Sequence, residues 1–281
     1  MQPGDTLLFR AGSAWEGQLK PQGSGNAENP IRIGAYGSDG QSRPIFNGNG
    51  LVRDTVYLCD VEYYEVSGLE VTNWGETVAE RRAVYVENTG MGVMDHIVLQ
   101  DLYIHDVNAR VDMRRNYEGG IICIVNGVSK PSVEEDSKFH DLRIENNRFE
   151  NVDYGAIFIR NENMRRGSIN WGVGPWVGNT EVVVRGNNMN NIGGDGIVVC
   201  ESTAPLVERN VARECHMRCN DPCAAIWCIN CDDALFRYNE AYLTRKDADG
   251  QGFDADGNCH NSCFQYNYSH DNEGGFMLIG N

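Results

Sequence analysis

The chain has 281 residues and a formal net charge of −16, with 32 Gly, 8 Pro and 10 Cys. Such an acidic balance excludes a nucleic-acid partner, which demands a basic face. No apolar run approaches the ~18–20 residues that cross a bilayer as a helix. The length suffices for a sizeable core, so the expectation is a single domain over 1–281 that acts as a monomer. MQPGDTLLFRAG at the start and GGFMLIGN at the end both read as the interior of a pattern. A segment trimmed at both ends, from a secreted or cell-surface protein, is therefore expected.

In chain order, Gly4-Asp5 turns into a strand from Thr6 to Phe9. Two more short strands, Ile31 to Ile33 and Ile45 to Asn47, lie between Gly-rich turns. Trp15 and Glu16 fall near a turn, with Trp15 as a cover for the end of the fold. Polar insertions are expected at 73–82 and 105–118. The second carries Arg110, Arg114 and Arg115, as solvated loop charges or as partners for a substrate carboxylate. His105-Asp106, His140-Asp141 and His270-Asp271 each border a strand, which suggests a repeated turn role. Residues 160–180 form the longest irregular insertion. Exposed loops on rigid scaffolds carry function, and aromatic faces suit sugar rings. Arg160, Trp171 and Trp176 are thus candidate substrate contacts.

Cys215, Cys219, Cys223, Cys228 and Cys231 crowd together, but only Cys228/Cys231 has the C-x2-C spacing of a zinc site. The leading reading is buried thiols that pack as small apolar residues. A disulfide or a metal site stands as an alternative.

A phrase of the form apolar-x-x-Asn-x-apolar recurs, centred on Asn147, Asn187, Asn210, Asn239 and Asn267. Two earlier copies, VSGLEV and LQDLYI, carry Leu at the same place. Each copy is followed by a small-residue step and an apolar strand. Period-2 strands with a repeat in the low twenties of residues, and no helical stripe, indicate a solenoid of stacked β-coils. A recurring Asn suits a stack, with each amide bonding the coils above and below it.

The stretch KDADGQGFDADG, Lys246 to Gly257, packs Asp247, Asp249, Asp254 and Asp256 into ten residues. As a strand, Phe253 and Ala255 point to one side, and Asp254 and Asp256 to the other. The two carboxylates then stand roughly 7 Å apart, from ~3.3 Å of rise per residue. That spacing suits an acid/base pair around a glycosidic bond or a shared cation.

The N-terminal PGDTLLFRAG, PIRIGAYG and PIFNGNG, with the Asn phrases and their Gly-apolar strands, resemble the right-handed parallel β-helix of the pectate-lyase-like superfamily. That group holds polysaccharide lyases, polygalacturonase-type glycoside hydrolases and some non-catalytic proteins. The resemblance implies an all-β, single-stranded right-handed parallel β-helix with Asn-rich turns. It also implies that the strand after the third turn lines a substrate groove. Asp195, Asp254 and Glu273 would then share that groove over successive coils, with Trp227 one coil before Asp254. GGDGI around Asp195 is similar to the first acidic strand of polygalacturonase-type enzymes.

The expected function is cleavage of a polysaccharide by a glycoside hydrolase with paired carboxylates among Asp195, Asp254, Asp256 and Glu273, and no cofactor. The alternative is a lyase in which Asp249, Asp254 and Asp256 hold Ca²⁺. Lys246, Arg245 or Arg218 is then the base that takes the α-proton. A non-catalytic carbohydrate-binding β-helix is the third reading. It requires the acids to be spread over all faces.

Overall fold

The computed structural model describes residues 1–37, 42–111, 117–127, 136–162, 176–245 and 248–280. The chain winds through three parallel sheets in turn, each strand pairing with the strand one coil later. Sheet A runs from Thr6–Arg10 to Cys263–Gln265, sheet B from Ala14–Glu16 to Tyr268–His270, and sheet C from Asp54–Cys59 to Met277–Ile279. Parallel neighbours in one sheet are joined by way of the other two, with the right-handed crossover that twisted strands impose. The fold expected from the resemblance is the one observed. Among the described residues, no helix is long and apolar enough to cross a membrane.

Alternation of side chains builds the core. On sheet C one inward ladder runs Val56, Val84, Ile121, Ile157, Ile197, Ile226, Phe253 and Met277, each in register with the next. A parallel ladder two residues on places Cys123 and Cys228 where other coils carry Val86, Ile159 and Val199. These thiols occupy β-branched positions, as apolar side chains of small volume do. All ten cysteines are free, and seven of them are buried. The disulfide and metal readings are set aside for the described residues. Native-state labelling with a bulky thiol reagent is expected to modify exposed Cys263 first and half-buried Cys59 and Cys259 slowly. The buried thiols should react only on unfolding, as a thiol count against denaturant would show.

The corner between sheets A and B shows why the recurring phrase exists. Its first residue is left-handed in every coil from Gly68 to Tyr266, with Asp101, Asn146, Gly186, Arg209 and Tyr238 between. The next position is Leu69, Leu102, and then the Asn ladder. Asn187 Oδ1 accepts from Asn147 N and Nδ2, each at 3.0 Å. Asn187 Nδ2 donates to Ile144 O and to Asn210 Oδ1, each at 2.9 Å. The pattern repeats through Asn210, Asn239 and Asn267. It begins at Leu102, whose N–H reaches Asn147 Oδ1 at 2.9 Å. Buried backbone donors at a tight corner require partners, and the stacked amides supply them.

Some local expectations shift. Trp15 sits inside a strand, Ala14–Glu16, and packs edge-on against Phe9 at 5.4 Å. Asp106, within Tyr103–Val107, and Asp271, just past Tyr268–His270, are left-handed residues, each held by the preceding His ring at 2.8 Å. Asp141, within Lys138–Glu145, is left-handed too and bonds His96 and Arg143 instead. Arg110 is a structural charge, tied to Glu118 and Glu80. Arg114 and Arg115 lie outside the described residues.

Candidate active site

Sheet C differs from the other two in being apolar on both faces over its middle coils. The outward row Tyr57, Tyr85, Ile122, Phe158, Val198 forms a second cluster, with Ile122 and Val198 fully buried. Strands covered on both faces read as continuous apolar runs, as GGIICIV and GAIFI do. The row then changes character. Its next rungs are Trp227 and Asp254, followed by Leu278. The outward wall is therefore an apolar platform that ends in a polar patch, rather than a groove of acids along its whole length.

Asp254 lies in the strand Phe253–Ala255, with Phe253 turned into the core. It is 7 % exposed, and its Oδ1 has no hydrogen-bond partner among the described residues. Burial, then the charges of Asp256 and Asp249, push its carboxyl up to about 8. A buried carboxyl beside other carboxylates holds its proton because the second negative charge has no counter-charge to meet. Asp256 stands two residues on, past the strand end, where its Oδ1 accepts from Gly257 N at 2.7 Å.

Asp195 plays a different part. Its Oδ1 accepts from Trp227 Nε1 at 2.7 Å and from Ala224 N at 3.0 Å, both on the next coil. Burial pushes it up to about 7, against the pull of those donors. It stands three residues before Val198, the rung in register with Trp227. Asp195 thus fixes the indole that borders Asp254 rather than sharing that side chain's position. Tyr154, Cys219 and Cys223 pack as a small buried cluster, and the Asp195 charge bears on all three.

The structure brings together Asp195, Trp227, Asp249, Asp254 and Asp256. Glu273 does not join them: it is exposed, in the turn before Met277–Ile279, and the rung opposite Asp254 is Leu278. The groove register expected for Glu273 fails because the turns into sheet C vary in length from coil to coil. Trp171 and Lys246 lie outside the described residues. Trp176 is half-buried ahead of Asn179–Thr180, at the approach to sheet A. Arg218 is committed to Asp153, Asn191 and the Val152 carbonyl, which takes it away from the role of a base. Among the described residues, no three of His, Cys, Asp and Glu are grouped so as to ligate a metal. Asp249, Asp254 and Asp256 feel one another's charge without converging on a point.

Sequence reading missed a second polar point on this wall. Glu201, just past Ile197–Cys200, is 1 % exposed and pushed up to about 7 by burial, against the charge of Arg160. It accepts from Asn161 N at 3.1 Å. Arg160 lies 5.2 Å over the Tyr117 ring, and Tyr117 packs on Phe158 at 4.7 Å. The available signal was an acid directly after the apolar run IVVC, where a solvated turn residue is the ordinary occupant.

The raised carboxyls set a pH dependence of stability. Asp254 and Asp195 bind protons in the folded state up to about 8 and about 7, but give them up near 3.8 when unfolded. Folded protein then holds more protons across that window, so stability falls as pH rises through it. The melting temperature is expected to rise on acidification from pH ~8 to ~5. Asp254→Asn should flatten that slope in a calorimetric pH series.

Comparison with known proteins found no family model that matches the chain. A curated lacto-N-biosidase from Bifidobacterium longum is 28% identical across 99% of the chain and 22% of its own length. A GH136 lacto-N-biosidase from Eubacterium ramulus, solved as a native crystal structure, superposes with a TM-score of 0.83 at 27% identity. It covers 99% of this chain, which in turn spans 52% of that structure. Its selenomethionine form gives the same TM-score of 0.83 at 26% identity. The chain therefore spans about a fifth and about half of the relatives that it matches along nearly its whole length.

Proposed function

We propose that this chain is the catalytic β-helix of a glycoside hydrolase that cleaves a glycan, with Asp254 as general acid and Asp256 as its carboxylate partner. The observation that carries the reading is the Asp254 carboxyl. It is buried, keeps its proton to about 8, and has an oxygen with no hydrogen-bond partner among the described residues. Glycoside cleavage needs one protonated and one charged carboxyl flanking the bond, and environments that push two acids apart assign those roles. Asp254 gives its proton to the leaving-group oxygen as the bond to the anomeric carbon breaks. The Asp256 carboxylate supports the positive charge that develops on the sugar, either directly or by activating water. Trp227, held by Asp195, offers an aromatic edge to the ring beside the broken bond.

The likeness to two lacto-N-biosidases supports hydrolysis over elimination and suggests a glycan that ends in a lacto-N-bioside. The reaction needs no metal in this reading, and a secreted or cell-surface, monomeric protein fits a polymeric or host-bound glycan. The test is incubation with a chromogenic lacto-N-bioside and with a panel of polysaccharides. New reducing ends without ultraviolet-absorbing unsaturated products, unchanged by EDTA, support the reading. Unsaturated products that vanish with EDTA would replace it with the calcium-dependent lyase.

A further inference from the structure

We infer that the outer face of sheet B carries a second, non-catalytic site for a neutral glycan chain. A cavity of about 580 Å³ opens there, on a different wall from Asp254. It lies within the ~300–1,000 Å³ typical of small-ligand sites. Its origin is a run of short side chains with one long member. Over two successive rungs the outward positions are Asn188 and Asn190, then Val211 and Arg213, flanked by Arg148 and Glu150 on one side and by Glu240 and Tyr242 on the other. Four rungs with three spacings of ~4.8 Å make a saddle about 14 Å long.

The rim is closed at the left-handed corner. Where neighbouring coils carry Asn146 and Arg209, this coil has Gly186 at φ 67. The space that a Cβ would take there is filled by Asn146 Oδ1, 2.5 Å away.

The walls are braced before any ligand arrives. Glu150 accepts from Tyr103 Oη at 3.0 Å and from Arg148 Nη2 at 2.7 Å. Tyr242 is backed by His270, ring centroids 4.7 Å apart and nearly parallel at 11°, and His270 is pinned by Glu240 and Asp271. Tyr242 also lines the saddle, with the Arg213 guanidinium over its ring 6.0 Å from the centroid. On the floor, Asn190 Oδ1 is shielded from solvent and has no partner among the described residues.

These groups select the ligand class. Arg148 is matched by Glu150, and Arg213 by Glu214 at 2.8 Å, so the saddle carries no net charge for an ion. Apolar lining comes from Val211, Phe149 and one tyrosine ring, mixed with polar atoms in near-equal measure, which suits an amphipathic ligand rather than a greasy one. What remains is a tyrosine ring held between His270 and Arg213, beside planar amide, guanidinium and carboxylate groups, each with paired donors or acceptors. Sugar rings offer a C–H face to the first and adjacent hydroxyl pairs to the others.

The experiment uses the whole 281-residue chain as Asp254→Asn, so that bound glycan is not consumed. The probes are an array of immobilised neutral and acidic glycans, and N-acetyllactosamine titrated by NMR. Neutral glycans should bind, and Tyr242→Ala should weaken them about tenfold, the size of one lost aromatic contact. Asn188→Arg, an exposed substitution that fills the saddle, should abolish the signal. In the parent chain, both substitutions should leave turnover of a small chromogenic substrate within about twofold. Binding indifferent to both substitutions, binding of acidic glycans alone, or no binding at all would overturn the proposal. Failure to cleave the chromogenic substrate would instead strike the hydrolase reading and leave the saddle standing.

Discussion

Asp254→Asn is expected to lower kcat/KM on the best glycan substrate by about 10²–10⁴, the range that a positioned general acid contributes. The amide keeps the shape of the carboxyl but cannot deliver a proton to the leaving oxygen. The wild-type alkaline limb should fall near pH 8, where the Asp254 carboxyl gives up its proton. A substrate with a leaving group that needs no protonation should recover much of the loss, because only the acid step is missing. The same variant should be at least as stable as the parent at neutral pH, since it removes a carboxyl that burial and the Asp256 and Asp249 charges disfavour. Loss of activity with retained melting temperature separates a chemical role from a structural one. Wild-type rates in Asp254→Asn would refute the assignment. Asp256→Asn should be comparably damaging, but should not move the alkaline limb upward.

Asn187→Ala is expected to destabilise the fold by about 3–5 kcal/mol, measured as a shift in urea midpoint at constant slope. The side chain receives Asn147 N and Nδ2 and donates to Ile144 O and Asn210 Oδ1. Its loss strands the Asn147 backbone N–H in a buried corner, the costly half of breaking a hydrogen bond. Asn267→Ala, half-buried and with its amide donating to Phe236 O, should cost less, about 1–2 kcal/mol, because fewer bonds of the ladder are lost and its own side chain is less buried. Equal costs at both positions would show that the ladder is not the source of the stability. Neither substitution should affect the proton on Asp254, which belongs to another wall.

How much was legible in the sequence follows from which interactions are periodic. Alternation along each strand is local, so Phe253 inward and Asp254 outward could be read directly, as could the recurring Asn at the corner before sheet B. The repeat fixed the coil as the unit of structure, because a face that cannot be buried alone must stack on the next copy. The rung that aligns Trp227 with Asp254 came from the same count.

Other features depend on the lengths of turns and on what covers each wall, and neither is periodic. Glu273 resembles an acid in the groove register, yet the turn before Met277–Ile279 leaves it in solvent and puts Leu278 opposite Asp254. Asp195 looked like a partner acid and proved to be the clamp on Trp227, which needed the neighbouring coil to be in place. Glu201, the apolar outer platform of sheet C and the saddle on sheet B arise only when coils are stacked. Sequence determines which side of a strand each residue faces. The tertiary structure alone decides whether that side meets water, a second layer or a neighbouring charge, because solvation and electrostatics depend on distance in space rather than on separation along the chain.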